Sequence, residues 1–456
     1  MRSSPSARAY DEVIRHVALG ARTAARLTRV GAGTSLPGLV IQKLDPGFVR
    51  RRASRLGAGV VVVSGTNGKT TTAAMITAIL AAEDEAVVAN GSGANLFRGI
   101  AATLAGTPAS ARVGVFEVDE GALARLVPAL HPRVLVLTNV FRDQLDRFGE
   151  PETVAKLLGA AARSMPAGSI VVANADDPLL WDSVSDAAPL GYGVVASEEL
   201  GATWVTTDAE PEVCPRCGGR LSYRRRTIAH LGAAGCPRCG WASADPSFLA
   251  SVDESWSFHS MSLRLRGVDV GIGLGGLHNA YNATAAIAAC AALGVPVERA
   301  AAALREFSAR FGRTELLDDH GRPVWVLLMK NPAGASVLVR QLIAERSVGA
   351  VVVMLNDRSA DGRDVSWIWD ANLEPLVRRG LPVVAGGVRA ADMAVRIKYA
   401  EGDAVAVEPD PLRALAAARD AASGADVAVL ATYSAMLDLR AAVLGSRVDR
   451  LAEAAA

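Results

Sequence analysis

The 456 residues carry 48 Lys and Arg against 47 Asp and Glu, a formal net charge of +1, so no global field draws the chain to nucleic acid or to an anionic membrane. Half of the residues are hydrophobic and 21% are charged, which excludes a disordered chain, and the length exceeds one ordinary core of roughly 100–200 residues, which predicts two or three domains. The arginine-containing start lacks the apolar core of a signal peptide and no run approaches the roughly 20 apolar residues of a membrane span, so a cytoplasmic protein is expected.

In chain order, residues 8–29 read as a helix with an apolar stripe of Val13, Val17, Ala18, Ala21 and Ala25, closed by the Gly-rich VGAGTSLPG; residues 1–45 are taken as an N-terminal helical appendage. Over 46–315 the runs GVVVVSG, ARVGVFEV, PRVLVLTNV and GSIVVANA alternate with Ala- and Leu-rich helical segments, the rhythm of a parallel sheet covered by helices. This predicts an α/β domain. At about 202–250 the rhythm breaks into Cys, Gly, Pro and Arg, which reads as an insertion with its own small structure. Over 316–456 the runs VGAVVVMLN, LPVVAGGV and ADVAVLATYSA again alternate with helices, predicting a smaller Rossmann-like C-terminal domain.

The strongest chemical signal is Gly65-Thr66-Asn67-Gly68-Lys69-Thr70-Thr71, placed between the apolar strand VVVVS and the helical AAMITAIL. Strand, glycine loop and helix N-terminus make a cradle in which backbone N–H groups face phosphate oxygens. Lys69 is expected to bring charge to the β- and γ-phosphates, and Thr70 a hydroxyl to Mg²⁺. The spacing G-x-x-G-K-T-T is shorter than the common phosphate loop. Glu117 ends the strand VGVFEV, which puts a carboxylate at the C-terminal edge of the sheet, where open α/β sheets build their sites; Asp119 and Glu120 beside it read as supporting or solvated carboxylates.

The cysteines supply an independent mark. Cys214-Pro215-Arg216-Cys217 and Cys236-Pro237-Arg238-Cys239 are two C-x-x-C knuckles separated by 18 residues, the spacing of a structural Cys₄ zinc ribbon. Its arginines would also suit nucleic acid, but a self-supporting insertion with a solvated basic rim is the simpler reading and no nucleic-acid partner is expected. Cys290, in AAIAACAALG, reads as helix packing.

The shortened phosphate loop resembles that of the Mur ligase and folylpolyglutamate synthase superfamily, and further segments follow in that superfamily's order. Glu117 resembles the Mg²⁺-binding glutamate. Residues 138–146, TNVFRDQLD, resemble the motif in which the ligases carry a histidine for a second metal, with Gln144 in its place. The segment LHNAYN resembles G-x-H-N-x-x-N, which implies Asn279 at the adenine and His278 beside it. FGRTE matches G-R-x-E, which implies that Arg313 bridges the domains and contacts the nucleotide. Lys330 is retained where related ligases read D-x-K-A-T-N, but Leu328 replaces the ribose-binding aspartate. Leu158 stands where amino-acid-adding ligases have a carbamylated lysine, and Lys156 is half a helical turn away.

With TSLPGLV, NVFRDQLDRFGE, NADDP, the Cys₄ insertion and NDRSADGRDVSWIWD, the chain resembles the MurT branch, the ligase subunits of lipid II isoglutaminyl synthases. The resemblance implies ATP-dependent amidation of the α-carboxylate of D-glutamate in lipid II to D-isoglutamine. MgATP held by Lys69, Thr70, Glu117 and Lys330 would form an acyl phosphate, which ammonia attacks. It also implies a GatD-type glutaminase partner that makes ammonia from glutamine, and peripheral residence at the inner membrane face through the lipid-linked substrate. This chain shows no glutaminase Cys–His pair of its own. Asp364, with Asp361 in reserve, would complete the partner's Cys–His pair from across the interface; a helix-capping role for Asp364 stands as the alternative. An amino-acid-adding Mur or folylpolyglutamate ligase is the second functional reading.

Overall fold

The computed structural model describes residues 10, 12–17, 20, 36–91, 94–141, 150–196, 213–253, 257, 260–307, 315–319, 321–358 and 360–444. In chain order the strands of the first body are β1 (Gly59–Ser64), β2 (Val87–Ala89), β3 (Val113–Glu117), β4 (Val134–Leu137), β5 (Ile170–Asn174), β6 (Leu190–Val195), β7 (Ser222–Ile228), β8 (Leu231–Gly235), β9 (Phe248–Val252), β10 (Met261–Leu265) and β11 (Val268–Ile272). Nine of them form one sheet in the order β11-β10-β9-β6-β5-β4-β1-β3-β2, in which β10 runs antiparallel to both of its neighbours, β9 and β11, and the remaining neighbours pair in parallel. The Val-rich strands need this setting, because both of their faces are covered.

Side chains alternate along β1. Val61 and Val63 join a core with the helices Lys69–Ala82 and Leu277–Ala292, while Val60 and Val62 join another with the helices Phe97–Gly106 and Leu123–Leu130. β1 thus lies inside the sheet, between β3 and β4, and its C-terminal end opens on the loop at residues 65–68.

A second sheet holds β12 (Glu315–Asp319), β13 (Arg322–Leu328), β14 (Val348–Met354), β15 (Val383–Gly386), β16 (Ala404–Glu408) and β17 (Asp426–Ala431) in the order β12-β13-β17-β14-β15-β16. Only the β12–β13 pair is antiparallel. Trp325 and Leu327 face one core and Val324 and Val326 the other, the same period of two. Among the described residues no helix is long and apolar enough to cross a membrane.

β7 and β8 form a separate antiparallel hairpin that carries the two cysteine knuckles. Asp176, buried just after β5, ties this hairpin to the first body: it accepts bonds from Val194 N at 2.8 Å and from the Tyr281 hydroxyl at 2.8 Å, and pairs with Arg225 of β7. Burial pushes its carboxyl above the usual range, against the pull of Arg225.

The N-terminal helix corrects the sequence expectation. Residues 12–17 are helical, but Val13 and Val17 of the expected stripe are exposed, and it is Ile14 that enters the core. Arg15 bonds the Ala105 carbonyl at 3.1 Å and Arg52 lies 3.6 Å from Glu12, so polar anchors to the helix Phe97–Gly106 and its surroundings set which face turns inward. Residues 18, 19 and 21–35 lie outside the described set, as do Ala18, Ala21 and Ala25 of the stripe.

Replacing Asp176 by Ala leaves Arg225 without its partner and two donors without an acceptor. The Asp176→Ala chain should lose about 3 kcal/mol of unfolding free energy. Urea unfolding checks this, and a loss under about 1 kcal/mol would contradict the role given to Asp176.

Candidate active site

The loop between β1 and the helix Lys69–Ala82 is turned by two glycines at positive φ, Gly65 at +122° and Gly68 at +84°. A Cβ on Gly65 would collide with Thr138 Oγ1, and one on Gly68 with the Asn282 amide, so both positions demand glycine. The helix starts at Gly68 with no side-chain cap, which leaves its first N–H groups available to an anion. Not every loop N–H is free as the motif suggested. Thr66 N donates to Asn139 O at 2.8 Å and Asn67 N to Asn139 Oδ1 at 2.9 Å, while Asn139 Nδ2 returns a bond to Asn67 O at 3.1 Å.

Lys69 is 8% exposed, and its Nζ bonds Thr66 O at 3.2 Å, Gly65 O, and Glu120 Oε1 at 2.7 Å. Glu120 is therefore the buried counterion of the loop lysine, and Asp119 is buried too, bonding Gly121 N at 3.1 Å. Neither is the solvated carboxylate allowed for above, because the turn after β3 folds them beneath the loop. Thr70 Oγ1 donates to Glu117 Oε2 at 2.6 Å, and Asn95 Nδ2 reaches Glu117 Oε1 at 3.3 Å. Asn90 fixes the Glu117 backbone at both N and O, each at 2.9 Å. Thr70 and Glu117 are thus paired oxygens at the helix start, a donor set that suits a hard cation such as Mg²⁺.

On the far wall, the helix Leu277–Ala292 presents Asn279 and Asn282. Asn279 Nδ2 bonds Gly275 O at 2.8 Å, its Oδ1 accepts from Asn282 Nδ2 at 3.1 Å, and Asn282 Oδ1 accepts from Thr72 at 3.3 Å. His278 is half-buried beside Gly276. From the second body, Asn331 caps the helix Pro332–Ala344 through Gly334 N at 2.8 Å and also donates to Asn67 Oδ1 at 3.0 Å. Next to it, Lys330 is exposed, so the two bodies meet at the phosphate loop with a lysine at the seam. Arg313, residues 142–146 with Gln144, and Thr314 lie outside the described residues.

Asn139 and Asn331 are the site residues that motif reading missed, while Asn282, within LHNAYN, and Glu120, read as supporting or solvated, were given no specific contact. A local signal existed for Asn331, since Asn before Pro is a helix-start pair.

The four cysteine sulfurs Cys214, Cys217, Cys236 and Cys239 lie within 4.8 Å of one another, with Cys214–Cys239 at 3.6 Å and Cys217–Cys236 at 3.5 Å. Four thiolates around a tetrahedral ion would sit roughly 3.8 Å apart, so the set fits a metal. Gly218 and Gly240, at φ +68° and +77°, turn the two knuckles. Although burial works against it, N–H groups of Cys239 and Arg238 and the Cys217 thiol lower the Cys236 thiol to about 7. Asp182 anchors the ribbon by accepting from Trp241 Nε1 at 3.0 Å and Arg216 Nε at 2.8 Å. Cys290 is buried in its helix, where burial pushes its thiol up; it is packing, as expected.

Asp361 and Asp364 share the turn after β14 but differ in use. Asp361 Oδ1 accepts Ser434 N at 2.7 Å and its Oδ2 accepts Arg358 N at 3.2 Å, so it is built into the start of the helix Tyr433–Leu444. Asp364 is exposed and accepts Ser366 N, two residues on, at 2.8 Å, just ahead of the short helix Ser366–Trp369, whose N-cap position is Val365 and carries no side-chain cap. The Ser366 N–H holds its carboxyl below the usual range, so it is charged at neutral pH. It borders a groove of about 460 Å³ with Arg363, Ser366, Trp369, Arg389 and Asp392.

The Mur ligase middle domain matches residues 63–209 and the MurT ligase C-terminal domain residues 328–436. In fold, the chain is similar to a pseudomurein peptide ligase type C from Methanothermus fervidus, with a TM-score of 0.65 at 21% identity over 85% of this chain and 79% of that one. It is also similar to E. coli FolC in complex with DHPP and ADP, with a TM-score of 0.57 at 16% identity over 88% and 93%. Fold and phosphate loop together define a Mur-type, ATP-dependent ligase. In sequence, the lipid II isoglutaminyl synthase (glutamine-hydrolyzing) subunit MurT of Streptococcus pneumoniae is 33% identical over 430 residues, 93% of this chain and 95% of that protein. The Staphylococcus aureus protein of the same name is 32% identical over 414 residues, 89% and 92%. The chain belongs to the MurT family.

The buried Lys69–Glu120 pair changes what a lysine substitution does. Lys69→Ala should lower stability by about 3 kcal/mol, because Glu120 is left charged and buried, and should abolish nucleotide binding. Adding Glu120→Gln should restore most of the stability but none of the binding. Unfolding curves and calorimetric titration with MgADP read the two effects separately, and a double variant that binds nucleotide would refute the role of Lys69.

Proposed function

We propose that this chain is the synthetase subunit that amidates the α-carboxylate of D-glutamate in the lipid II stem peptide. The observation that carries the reading is the loop at residues 65–71, with Lys69 and the Thr70–Glu117 pair, in a chain related to MurT subunits along almost its whole length.

Lys69 and Lys330 bind the phosphates of ATP, with Asn279 and His278 at the base; Arg313, outside the described residues, would contact the nucleotide as the family resemblance implies. A Mg²⁺ ion on Thr70 and Glu117 would supply charge neutralisation at the transferred phosphoryl group. A carboxylate oxygen of the substrate attacks the γ-phosphorus and ADP leaves, giving an acyl phosphate. Ammonia then attacks the acyl carbon, phosphate departs, and the nitrogen loses a proton to leave the amide. Ammonia at neutral pH is mostly ammonium, so a subunit that releases it from glutamine is required. The surface around Asp364 suits that partner: Trp369, Val388, Val395 and Tyr399 are exposed apolar groups beside the groove. Asp364, charged and reachable, would orient the histidine of a GatD-type glutaminase's Cys–His pair. The lipid-linked substrate would hold the complex at the inner membrane face.

The assay that separates this reading from an amino-acid-adding ligase offers lipid II and MgATP with either ammonium or amino acids. Amide product with ammonium supports it, and a peptide product overturns it.

Two further outcomes follow. Asp364→Asn should lose amidation driven by glutamine and regain it with high free ammonium, since the phosphate loop is untouched; normal glutamine hydrolysis in the complex would remove Asp364 from the triad. Metal analysis should return about one zinc per chain held by Cys214, Cys217, Cys236 and Cys239. A Cys214→Ser/Cys236→Ser chain that keeps its zinc, or loses it with no drop in melting temperature, would refute a structural zinc.

A further inference from the structure

The tip of the β7–β8 hairpin does not stand in solvent, as the tip of a self-supporting ribbon would. Ile228, Ala229 and His230 are buried, and Ile228 and Ala229 belong to the same apolar core as Phe141 and as Val61 and Val63 of β1. Ala229 makes the turn at φ +46°, and the chain is pinned there by Tyr223, whose hydroxyl donates to His230 O at 3.0 Å.

His230 faces the segment that holds the phosphate loop. Its ring lies 4.6 Å from that of Phe141, tilted by 57°, and its Nε2 is 3.5 Å from Asp177 Oδ2. That same oxygen accepts Val140 N at 2.7 Å. Phe141 N donates to Thr66 Oγ1 at 3.1 Å, and Thr66 Oγ1 reaches back to Phe141 O at 3.4 Å. One hydrogen bond therefore separates the residue under His230 from the phosphate loop. The hairpin also grips the opposite wall, because Arg225 and Tyr281 share Asp176, and Tyr281 precedes Asn282, whose amide packs on Gly68.

We propose that His230 is a positioning residue for the phosphate loop: the hairpin tip holds Val140 and Phe141 so that Thr66 keeps the loop in its nucleotide-binding shape. The inserted ribbon is then part of the ATP site's support, linked to it through packing and not through contact with the nucleotide. This rests on the nucleotide reading of residues 65–71.

The test uses the full chain with its metal, MgADP as the titrant, and the reconstituted complex for kinetics. His230→Ala should raise the Kd for MgADP about fivefold, the size of an aromatic contact, with metal content at the wild-type level. The KM for ATP should rise by the same factor while kcat falls less than twofold, a split that general loss of folding would not produce. His230→Phe keeps the ring contact and should bind within about twofold of wild type. Phe141→Leu should weaken binding about as much as His230→Ala, and the double variant no more than either, since both break one link; if His230→Ala does not fold, Phe141→Leu carries the test. A folded, metal-loaded His230→Ala chain that binds MgADP as wild type does, or effects that multiply in the double variant, would overturn the proposal. A wild-type chain that binds no MgADP would instead overturn the nucleotide reading itself.

Discussion

The amide of Asn139 is the contact on which the site depends. It accepts from Asn67 N and donates to Asn67 O, while the Asn139 backbone carbonyl takes Thr66 N, so the segment after β4 grips the phosphate loop as a neighbouring strand would. A loop with two glycines at positive φ has many alternatives when unfolded, and an external template is what selects one. Once the loop is fixed, the helix Lys69–Ala82 begins at a set point and in a set direction, and its uncapped N-terminus looks out of the sheet's C-terminal edge.

Around that clamp the polar groups are shared between elements that lie far apart in sequence. Glu120 holds Lys69 from beneath, Glu117 holds Thr70, and Asn331 brings the second body to Asn67. An ion pair as buried as Lys69–Glu120 is costly to desolvate and adds little net stability against an apolar pair. Its presence fits the proposed role of Lys69, which needs a charged lysine beside the phosphates of ATP. The Asn331 bond is not the whole junction, since Val337 and Ala333 of the helix Pro332–Ala344 also pack against the first body's core.

Much of this was legible in the residues. The strand rhythm placed both sheets because an unbroken apolar run with Val at successive positions leaves a parallel, doubly covered strand as the natural solution, and the cysteine knuckles declared their cluster by spacing alone. The loop and Glu117 were legible because strand, glycines, lysine and threonine are contiguous or sit at a strand's end. What local reading could not reach is long-range: Glu120 is 51 residues from Lys69, Asn139 is 72 from Asn67, and Asn331 is 264 from Asn67. The turn of the N-terminal helix was misjudged for a related reason, since its inward face is chosen by Ala105 and Arg52 and not by its own pattern. Asp364 is a case of a different kind. Within this chain it bonds the Ser366 backbone two residues on, and a role in a triad would be defined only by a second chain.

The central claim is that the chain activates a carboxylate by phosphorylation before nitrogen attacks. Lipid II carrying ¹⁸O in the α-carboxylate of its D-glutamate, turned over with MgATP and ammonium, tests it directly by mass analysis of the phosphate released. One ¹⁸O atom should appear in the phosphate for each amide formed, because the bond from carboxylate oxygen to phosphorus survives when the nitrogen displaces it. Amide formed with no label in the phosphate would contradict the account.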